Sequence, residues 1–217
     1  MGKIGYSLND YSINEGVRLA RNQDLNQKMR DQRKEQILSN ALALFATRGL
    51  SATKISDIAS ASGVSQGLIY HYFRSKEEVF VELVRTAFER LNNACRELEK
   101  LPLSPREKIR RATEGLLHNI EESKDASRYY LVITQATASE AIPEEAKAII
   151  DGERMLPYEV MKHIIEEGQA DGSIGNHDAS DLSLVFWTSI KGLAIHRAVH
   201  GTKFKMPDPE IIMSMFV

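Results

Sequence analysis

The stretch TKISDIASASGVSQGLIYHYF, residues 53–73, contains two short helix patterns separated by a glycine. Thr53 is a favoured helix N-cap and begins the first pattern, which Gly63 breaks. Ser65 caps a second helix that we expect to end near Phe73. Two short helices joined by a turn that contains glycine are typical of a helix-turn-helix, whose second helix enters the major groove of DNA.

The second helix divides into an apolar face and a polar face. Its large apolar side chains can pack on the first helix, which leaves an outward set: Ser65, Gln66, Gly67, Tyr70 and His71. Gln66 can hydrogen-bond the edge of a base, especially adenine. Gly67 lets the backbone approach the duplex, and the two rings can contact phosphate or the methyl group of thymine.

Three further residues complete the predicted nucleic-acid interface. Thr53, at a helix N-terminus, and Lys76, through its charge, flank the second helix and can hold the DNA backbone. For Tyr72 two interpretations stay open, a place in the core and a phosphate contact. The short stretch therefore predicts both a fold and a partner, double-stranded DNA.

Helix signals recur on both sides of this stretch, whereas strand signals are nearly absent. A helix is predicted over residues 31–48, and Ser75 begins a long helix that Pro102 stops. Five further helices are predicted. They run onward from Pro105, over 126–139, over 143–169 with a break at Pro157, over 179–199, and onward from Pro207–Pro209. The pattern predicts an all-α fold.

Composition and charge set limits on the class of protein. The chain has 217 residues, of which 42% are hydrophobic and 27% charged, as in ordinary globular proteins. No apolar run reaches membrane-spanning length, and the N-terminus lacks the apolar core of a signal peptide, so we expect a cytoplasmic protein. Residues 1–78 carry 11 basic and 8 acidic side chains, and residues 79–217 carry 17 and 22. Residues 1–78 have the positive net charge and are therefore better suited to contact DNA phosphates.

Residues 1–30 are polar and show little periodicity, which predicts a flexible N-terminal arm or a loosely docked helix, and the flexible arm is favoured. A basic arm that lies along DNA is the alternative, through Arg18, Arg21, Lys28 and Arg30.

Residues 31–90 resemble the TetR/AcrR type of transcriptional repressor. The residues that match the signature of that family are Thr53, Ile58, Ala59, Gly63, Val64, Ser65, Gly67, Tyr70, Tyr72, Phe73 and Lys76. Ser62 replaces the usual alanine and Val79 the usual leucine, and both replacements are small or apolar. A weaker resemblance covers residues 171–197, which are similar to the dimerisation region of the family.

The resemblance implies an N-terminal three-helix helix-turn-helix DNA-binding domain, placed at residues 31–76, joined to a C-terminal helical ligand-binding and dimerisation domain at 77–217. It also implies a homodimer that binds a palindromic operator and is released by a small-molecule effector. The two recognition helices of such a dimer meet half-sites ~34–36 Å apart. Activation instead of repression stays open, because some relatives activate.

Candidate ligand contacts are polar or aromatic side chains on helices that should be buried. These residues are His118, Tyr129, Tyr130, Thr134, Met155, Tyr158, Met161 and Trp187. Helices 143–169 and 178–200 are the predicted dimer faces, as a four-helix bundle across the two-fold axis. The candidate interface residues are Val185, Thr188, Leu193 and His196.

Other functions are weighed against this one. A DNA-binding protein without an effector would have a collapsed C-terminal core instead of an open apolar cavity. No nucleotide loop, zinc-protease motif or nucleophile elbow recommends an enzyme, and no cofactor is predicted. His196 and His200 could share a metal but lack an evident third ligand, so no metal is predicted. Cys95, the only cysteine, is expected to be a buried structural thiol.

Overall fold

The computed structural model describes the backbone of residues 8–217 and the side chains of Leu25 and of residues 27–217. Most side chains of the predicted arm, including those of Arg18 and Arg21, are therefore outside the part of the chain whose side chains the structure describes. Residues 8–217 form an all-α protein of ten α-helices with no strand. None of the described helices is both long enough and apolar enough to cross a bilayer.

The helices are α1 (Leu8–Ala52), α2 (Ile55–Ser62), α3 (Gln66–Tyr72), α4 (Lys76–Lys100), α5 (Pro105–Glu122), α6 (Lys124–Thr137), α7 (Glu144–Glu153), α8 (Leu156–Ala170), α9 (Ala179–His200) and α10 (Pro209–Met213). Two short 3₁₀ turns follow α9 and α10. We call residues 31–75, which end before α4, the head, and residues 76–217 the body.

Several predicted helix ends are confirmed by their capping groups. The hydroxyl of Ser75 accepts the amide N–H of Glu78 at the start of α4. At the start of α5, Ser104 and Glu107 form a reciprocal capping box, in which each side chain accepts from the backbone of the other residue. Gly49, the predicted end of the first helix, has φ 75° and interrupts α1 there.

Three predicted boundaries are wrong. The first helix begins at Leu8 instead of near residue 31. The N-cap of α2 is Lys54 instead of Thr53. The break between α7 and α8 falls at Arg154 and Met155, a few residues before Pro157. Pro157 lies in the first turn of α8, where a missing amide N–H removes no helical hydrogen bond.

Two clusters of buried side chains hold the helices together. The first includes Ile37, Leu42 and Phe45 of α1, Ile58 of α2, Ile69 of α3, and Val79, Phe80, Val81, Leu83 and Val84 of α4, and it continues into α6 and α7. The rings of Phe45 and Phe80 meet edge to face with 5.5 Å between their centroids. The second cluster joins α4, α5, α8, α9 and α10 around Phe186 and Trp187. The core of the head is therefore continuous with part of the body.

Polar contacts reinforce this junction between head and body. Lys34 of α1 pairs with Glu82 of α4, and Arg85 pairs with the same carboxylate at 3.1 Å. Burial raises the pKa of Glu82, but the hydrogen bonds and charges of Lys34 and Arg85 outweigh burial and hold the pKa below its ordinary value. The hydroxyl of Ser39 in α1 donates to Asp125 of α6 at 2.5 Å. Both α4 and α6 are thus bonded to the head.

Candidate nucleic-acid interface

The turn between α2 and α3 sets the direction of α3. Gly63 has φ 65° and ψ 34°, in the left-handed region that glycine adopts without strain. The amide N–H of Val64 donates to the carbonyl of Ala59 at 3.0 Å and closes α2. Ser65 then begins α3, because its hydroxyl accepts the amide N–H of Leu68 at 3.2 Å. The predicted helix-turn-helix is formed by these local bonds.

The inner face of α3 is anchored in the first core cluster. Ile69 is fully buried, as is Ile58 of α2, and Phe73 after α3 is 3% exposed. Lys34 of α1 places its ammonium 5.8 Å from the centroid of the Phe73 ring. The orientation of α3 is therefore determined by apolar packing, and its other face is left to solvent.

The predicted outward residues all lie on that exposed face: Ser65, Gln66, Gly67, Tyr70 and His71. The Tyr70 side chain is 54% exposed, so no packing within the described chain accounts for an aromatic residue there. A Cβ added to Gly67 would come no closer than 3.8 Å to its nearest neighbour, the Ser65 hydroxyl. The fold itself therefore does not require glycine at this position.

Tyr72 is half-buried and packs against the first core cluster. Its ring meets the edge of the His71 ring with 5.4 Å between centroids, and it also lies against Phe73. Of the two interpretations for Tyr72, this packing favours the core.

The structure corrects the expected surface position of Thr53. Its side chain is fully buried, and its hydroxyl donates to the carbonyl of Gly49 at 2.8 Å. Since Gly49 has left the helical conformation, its carbonyl needs a new partner, and Thr53 supplies it. Thr53 therefore braces the corner between α1 and α2, where its side chain is out of reach of DNA.

Lys76 is also placed differently from the expectation. Its ammonium donates to three backbone carbonyls, those of Leu50 at 2.8 Å, Ser51 at 3.1 Å and Thr53 at 2.9 Å. An ammonium has three donors, so all of them are used within the protein. The carbonyls at the end of α1 attract this charge. Lys76 therefore positions the head against α4 and is not available to DNA phosphates in this arrangement.

Two exposed cations near α2 and α3 were missed from the sequence. Lys54 precedes α2, and Arg74 follows α3. Neither side chain forms an ion pair with another described residue, whereas Arg48 lies 3.9 Å from Asp57. Their position at the ends of the two short helices was the available signal, because phosphates flank a helix that enters the major groove.

The body contains an apolar cavity of about 320 Å³ between α4, α5 and α6, which we call the tyrosine cavity. Tyr129 and Tyr130 contribute to its wall, with Phe88, Leu91 and Ile133. Burial raises the pKa of both tyrosines, so their hydroxyl groups stay neutral. The walls of this cavity belong in part to α4 and α6, the helices bonded to the head.

A second cavity of about 290 Å³ lies between α4, α5, α8 and α9, and we call it the tryptophan cavity. The indole N–H of Trp187 donates to the carbonyl of Pro157 at 2.9 Å and fixes the ring in the wall. Burial raises the pKa of the Cys95 thiol in this wall to about 12, so the thiol stays protonated and apolar. The combined volume of the two cavities falls within the range that is usual for small-molecule sites.

The predicted ligand contacts are not brought together in one cavity. Tyr129 and Tyr130 line the tyrosine cavity, and Met161 and Trp187 line the tryptophan cavity. Met155 and Tyr158 line a third cavity beside α9, where the Tyr158 hydroxyl accepts from the ammonium of Lys191 at 2.7 Å.

His118 and Thr134 were expected on buried faces, but both are exposed and border none of these three cavities. The Thr134 hydroxyl donates to the carbonyl of Tyr130 in its own helix. The two residues belong to α5 and α6, which line the tyrosine cavity, but their side chains lie on faces of these helices that do not border it.

The predicted dimer residues lie mainly on the outward face of α9. Val185, Thr188 and His196 are exposed, and Leu193 is half-buried. Leu184 and Val199 of the same helix are 53% and 64% exposed, which is unusual for apolar side chains. The rings of His196 and His200 stack with 5.4 Å between centroids, and the described residues contain no group of three or more side chains suited to a metal ion.

Comparison with known proteins agrees with this arrangement. The family model of bacterial regulatory proteins of the tetR family matches residues 37–83. The HTH-type transcriptional repressor KstR2 of Mycobacterium tuberculosis (strain ATCC 25618 / H37Rv) is 31% identical over 140 residues, which cover 63% of this chain and 68% of that protein. The chain belongs to the TetR family. As a TetR-family protein it is a DNA-binding transcriptional regulator and not an enzyme.

Two further comparisons extend the likeness beyond the head. KstR2 of Rhodococcus jostii (strain RHA1) is 29% identical over 163 residues, which cover 75% of this chain and 78% of that repressor. The crystal structure of the MbdR regulator from Azoarcus sp. CIB superposes with a TM-score of 0.69 at 20% identity, over 84% of this chain and 95% of that one. The TetR fold therefore includes the body as well as the head.

Proposed function

We propose that this TetR-family regulator is a homodimeric repressor that a small molecule releases from a palindromic operator. The observation that carries the proposal is the position of the tyrosine cavity. Its walls include α4 and α6, and these helices are bonded to the head through Lys76 and through Asp125. A ligand that occupies the cavity can therefore act on both attachments of the head.

The DNA-facing part of the proposal rests on the exposed side of α3. In this proposal the exposed Gln66 and Tyr70 contact base edges and phosphates. The exposed cations Lys54 and Arg74 neutralise phosphates on either side. A repressor is favoured over an activator because both KstR2 proteins compared above are named repressors.

The dimer part rests on the exposed apolar face of α9. Val185, Leu184 and Val199 gain apolar burial if α8 and α9 pack on their copies about a two-fold axis. Replacement of Val185 by Glu would place a charge in that interface, and we expect a monomer by light scattering. Ile211, which is 63% exposed but lies on α10, is the matched control, and its replacement by Glu should leave the dimer intact.

Release requires that the ligand prefer the form of the protein that does not fit DNA. Occupation of the tyrosine cavity would change the lean of α4 and the position of α6, and the two heads would lose the spacing of adjacent major grooves. A regulator without an effector is less well supported, because the body has open cavities where a collapsed core was the alternative.

The test begins with sheared genomic DNA from the source, incubated with the full chain at physiological salt and sequenced after capture. A short enriched palindrome supports the operator, and the neighbouring genes direct the search for effectors. Random retention of DNA would contradict sequence-specific binding. A palindrome that no metabolite extract releases from the protein would favour a regulator without an effector.

A further inference from the structure

The tyrosine and tryptophan cavities adjoin each other. They share four wall residues, Leu91, Ala94, Leu116 and Asn119. Along α4 the combined wall runs from Ala87 to Leu98, which is about 16 Å at the helical rise of 1.5 Å per residue. We call this combined space the α4–α5 groove. Its length suits an elongated molecule better than a compact one.

The walls of the groove determine what its occupant can be. In the tryptophan cavity every wall residue is apolar or uncharged except Arg111. The protonated Cys95 thiol and the Trp187 ring carry no charge, and the indole N–H is not a free donor because it is bonded to the carbonyl of Pro157. Burial of apolar surface in this cavity would stabilise the bound molecule. Polar groups buried there would find few hydrogen-bond partners and would weaken binding.

Arg111 lies on the rim of the groove as an uncompensated cation. No described carboxylate pairs with it, and the nearest acidic residues of its own helix have other partners. Glu107 is held by Ser104 at 2.6 Å, and Glu114 lies 3.8 Å from Arg110. At the other end of the groove the wall contains Arg90 but also a carboxylate, Asp125, which is paired with Arg128 at 3.0 Å. A bound anion would meet the negative charge of Asp125 there, whereas the wall around Arg111 contains no carboxylate.

We propose that the α4–α5 groove binds a long-chain amphipathic anion, with its apolar chain along the groove and its carboxylate or phosphate head beside Arg111. A guanidinium binds either head through paired, charge-assisted hydrogen bonds. The inference rests on the proposed function only in making this anion the effector, because binding itself can be measured without DNA.

The chain carries its own reporter for this test. Trp187 is the only tryptophan, it is 2% exposed, and it lies in the wall of the groove. Its fluorescence is followed while the full protein is titrated, below micelle-forming concentrations, with dodecanoate, dodecyl phosphate, dodecanol and dodecylammonium. We expect one or both anions to bind about tenfold more tightly than the alcohol, and the cation to bind most weakly. The stronger anion identifies the head group.

Two pairs of variants locate the binding. Arg111→Gln should bring the affinity for the anions down to that for dodecanol, whereas Arg96→Gln, which changes an exposed arginine in the cleft between α4 and α7, should not. Gly115→Leu should abolish binding of every probe, because a Cβ at Gly115 has no neighbour within 4 Å and projects from a wall residue. Gly152→Leu, at an equally open glycine in that cleft, is the control.

Equal affinity for dodecanol and both anions, or anion binding that survives both Arg111→Gln and Gly115→Leu, would overturn the inference. Circular dichroism and thermal melting establish that each variant is folded. Operator binding is measured separately. If the anions bind as described but leave operator affinity unchanged, the groove assignment stands and effector release fails. If an uncharged ligand in the groove releases DNA, release stands and the anion assignment fails.

Discussion

The two halves of α4 lie in different surroundings. In the first half, Phe80, Leu83 and Val84 are buried against the head, and Lys76 is bonded to three carbonyls at the end of α1. In the second half, Leu91 and Leu98 border cavities. Close packing transmits displacement, whereas open space permits it. One helix is therefore rigid where it holds the head and adjustable where a ligand can enter.

This contrast predicts which substitutions change stability and which change function. The largest difference is expected between two neighbours on α3. Ile69→Ala should lower the free energy of unfolding by about 2–5 kcal/mol, because it removes a fully buried side chain from a close-packed core. Tyr70→Ala should change stability by less than about 0.5 kcal/mol and weaken operator binding. Urea unfolding and DNA titration measure the two effects, and equal stability losses would contradict the packing of α3.

Lys76→Met should lower the free energy of unfolding by about 2–3 kcal/mol, since it removes charge-assisted bonds and leaves three carbonyls without their donor. It should leave the salt dependence of DNA binding unchanged. The control is Lys54→Met, which removes an exposed cation, should barely affect stability, and should reduce the salt slope by about one. If the Lys76→Met protein is as stable as the unchanged protein and its DNA binding depends less on salt, Lys76 contacts a phosphate and does not hold the corner of the head.

Gln66→Ala tests the exposed face of α3, a helix that the close-packed core of the head holds in place. We expect discrimination at one base position of the operator to fall by about 1–3 kcal/mol, because a base-edge hydrogen bond is lost while the fold is unaffected. Binding to a set of single-base operator variants measures this change. Equal losses on operator and random DNA would exclude a base-reading role for Gln66.

The smallest expected effect concerns the attachment of the head to α6. Ser39→Ala removes the hydrogen bond to Asp125, a wall residue of the tyrosine cavity. We expect operator affinity without effector to change little and the effector-induced loss of affinity to shrink by about 1 kcal/mol, because one of two attachments no longer transmits movement. Asn40→Ala is the control, since its side chain bonds only within α1. An unchanged response would leave α4 as the transmitting helix.

The head could be predicted closely because its signals are local. Gly63 and Ser65 act on the backbone within a few residues, and the apolar spacing of Ile58 and Ile69 determines the inner faces of two short helices. The roles of Thr53 and Lys76 could not be predicted in the same way. Their partners lie at the end of α1, and only the folded corner brings a buried hydroxyl and an ammonium to those carbonyls.

The body could be predicted only as a set of helices. His118 and Thr134 lie on exposed faces, and Tyr130 and Trp187 line different cavities, because the rotation of each helix depends on all of its neighbours. A cavity is a region where helices fail to fill space, and no residue type encodes it. Arg111 was missed for the same reason, since an exposed arginine has significance only beside a groove.

The sequence by itself determined the all-α class, the helix-turn-helix and the family, because helix caps, apolar periodicity and a glycine turn act over a few residues. The tertiary structure alone decided which helices hold the head, where the cavities lie and which charges stay uncompensated. These properties depend on contacts between residues far apart in the chain, such as Ser39 with Asp125 and Lys76 with Leu50. Such contacts form only when packing has brought the helices together.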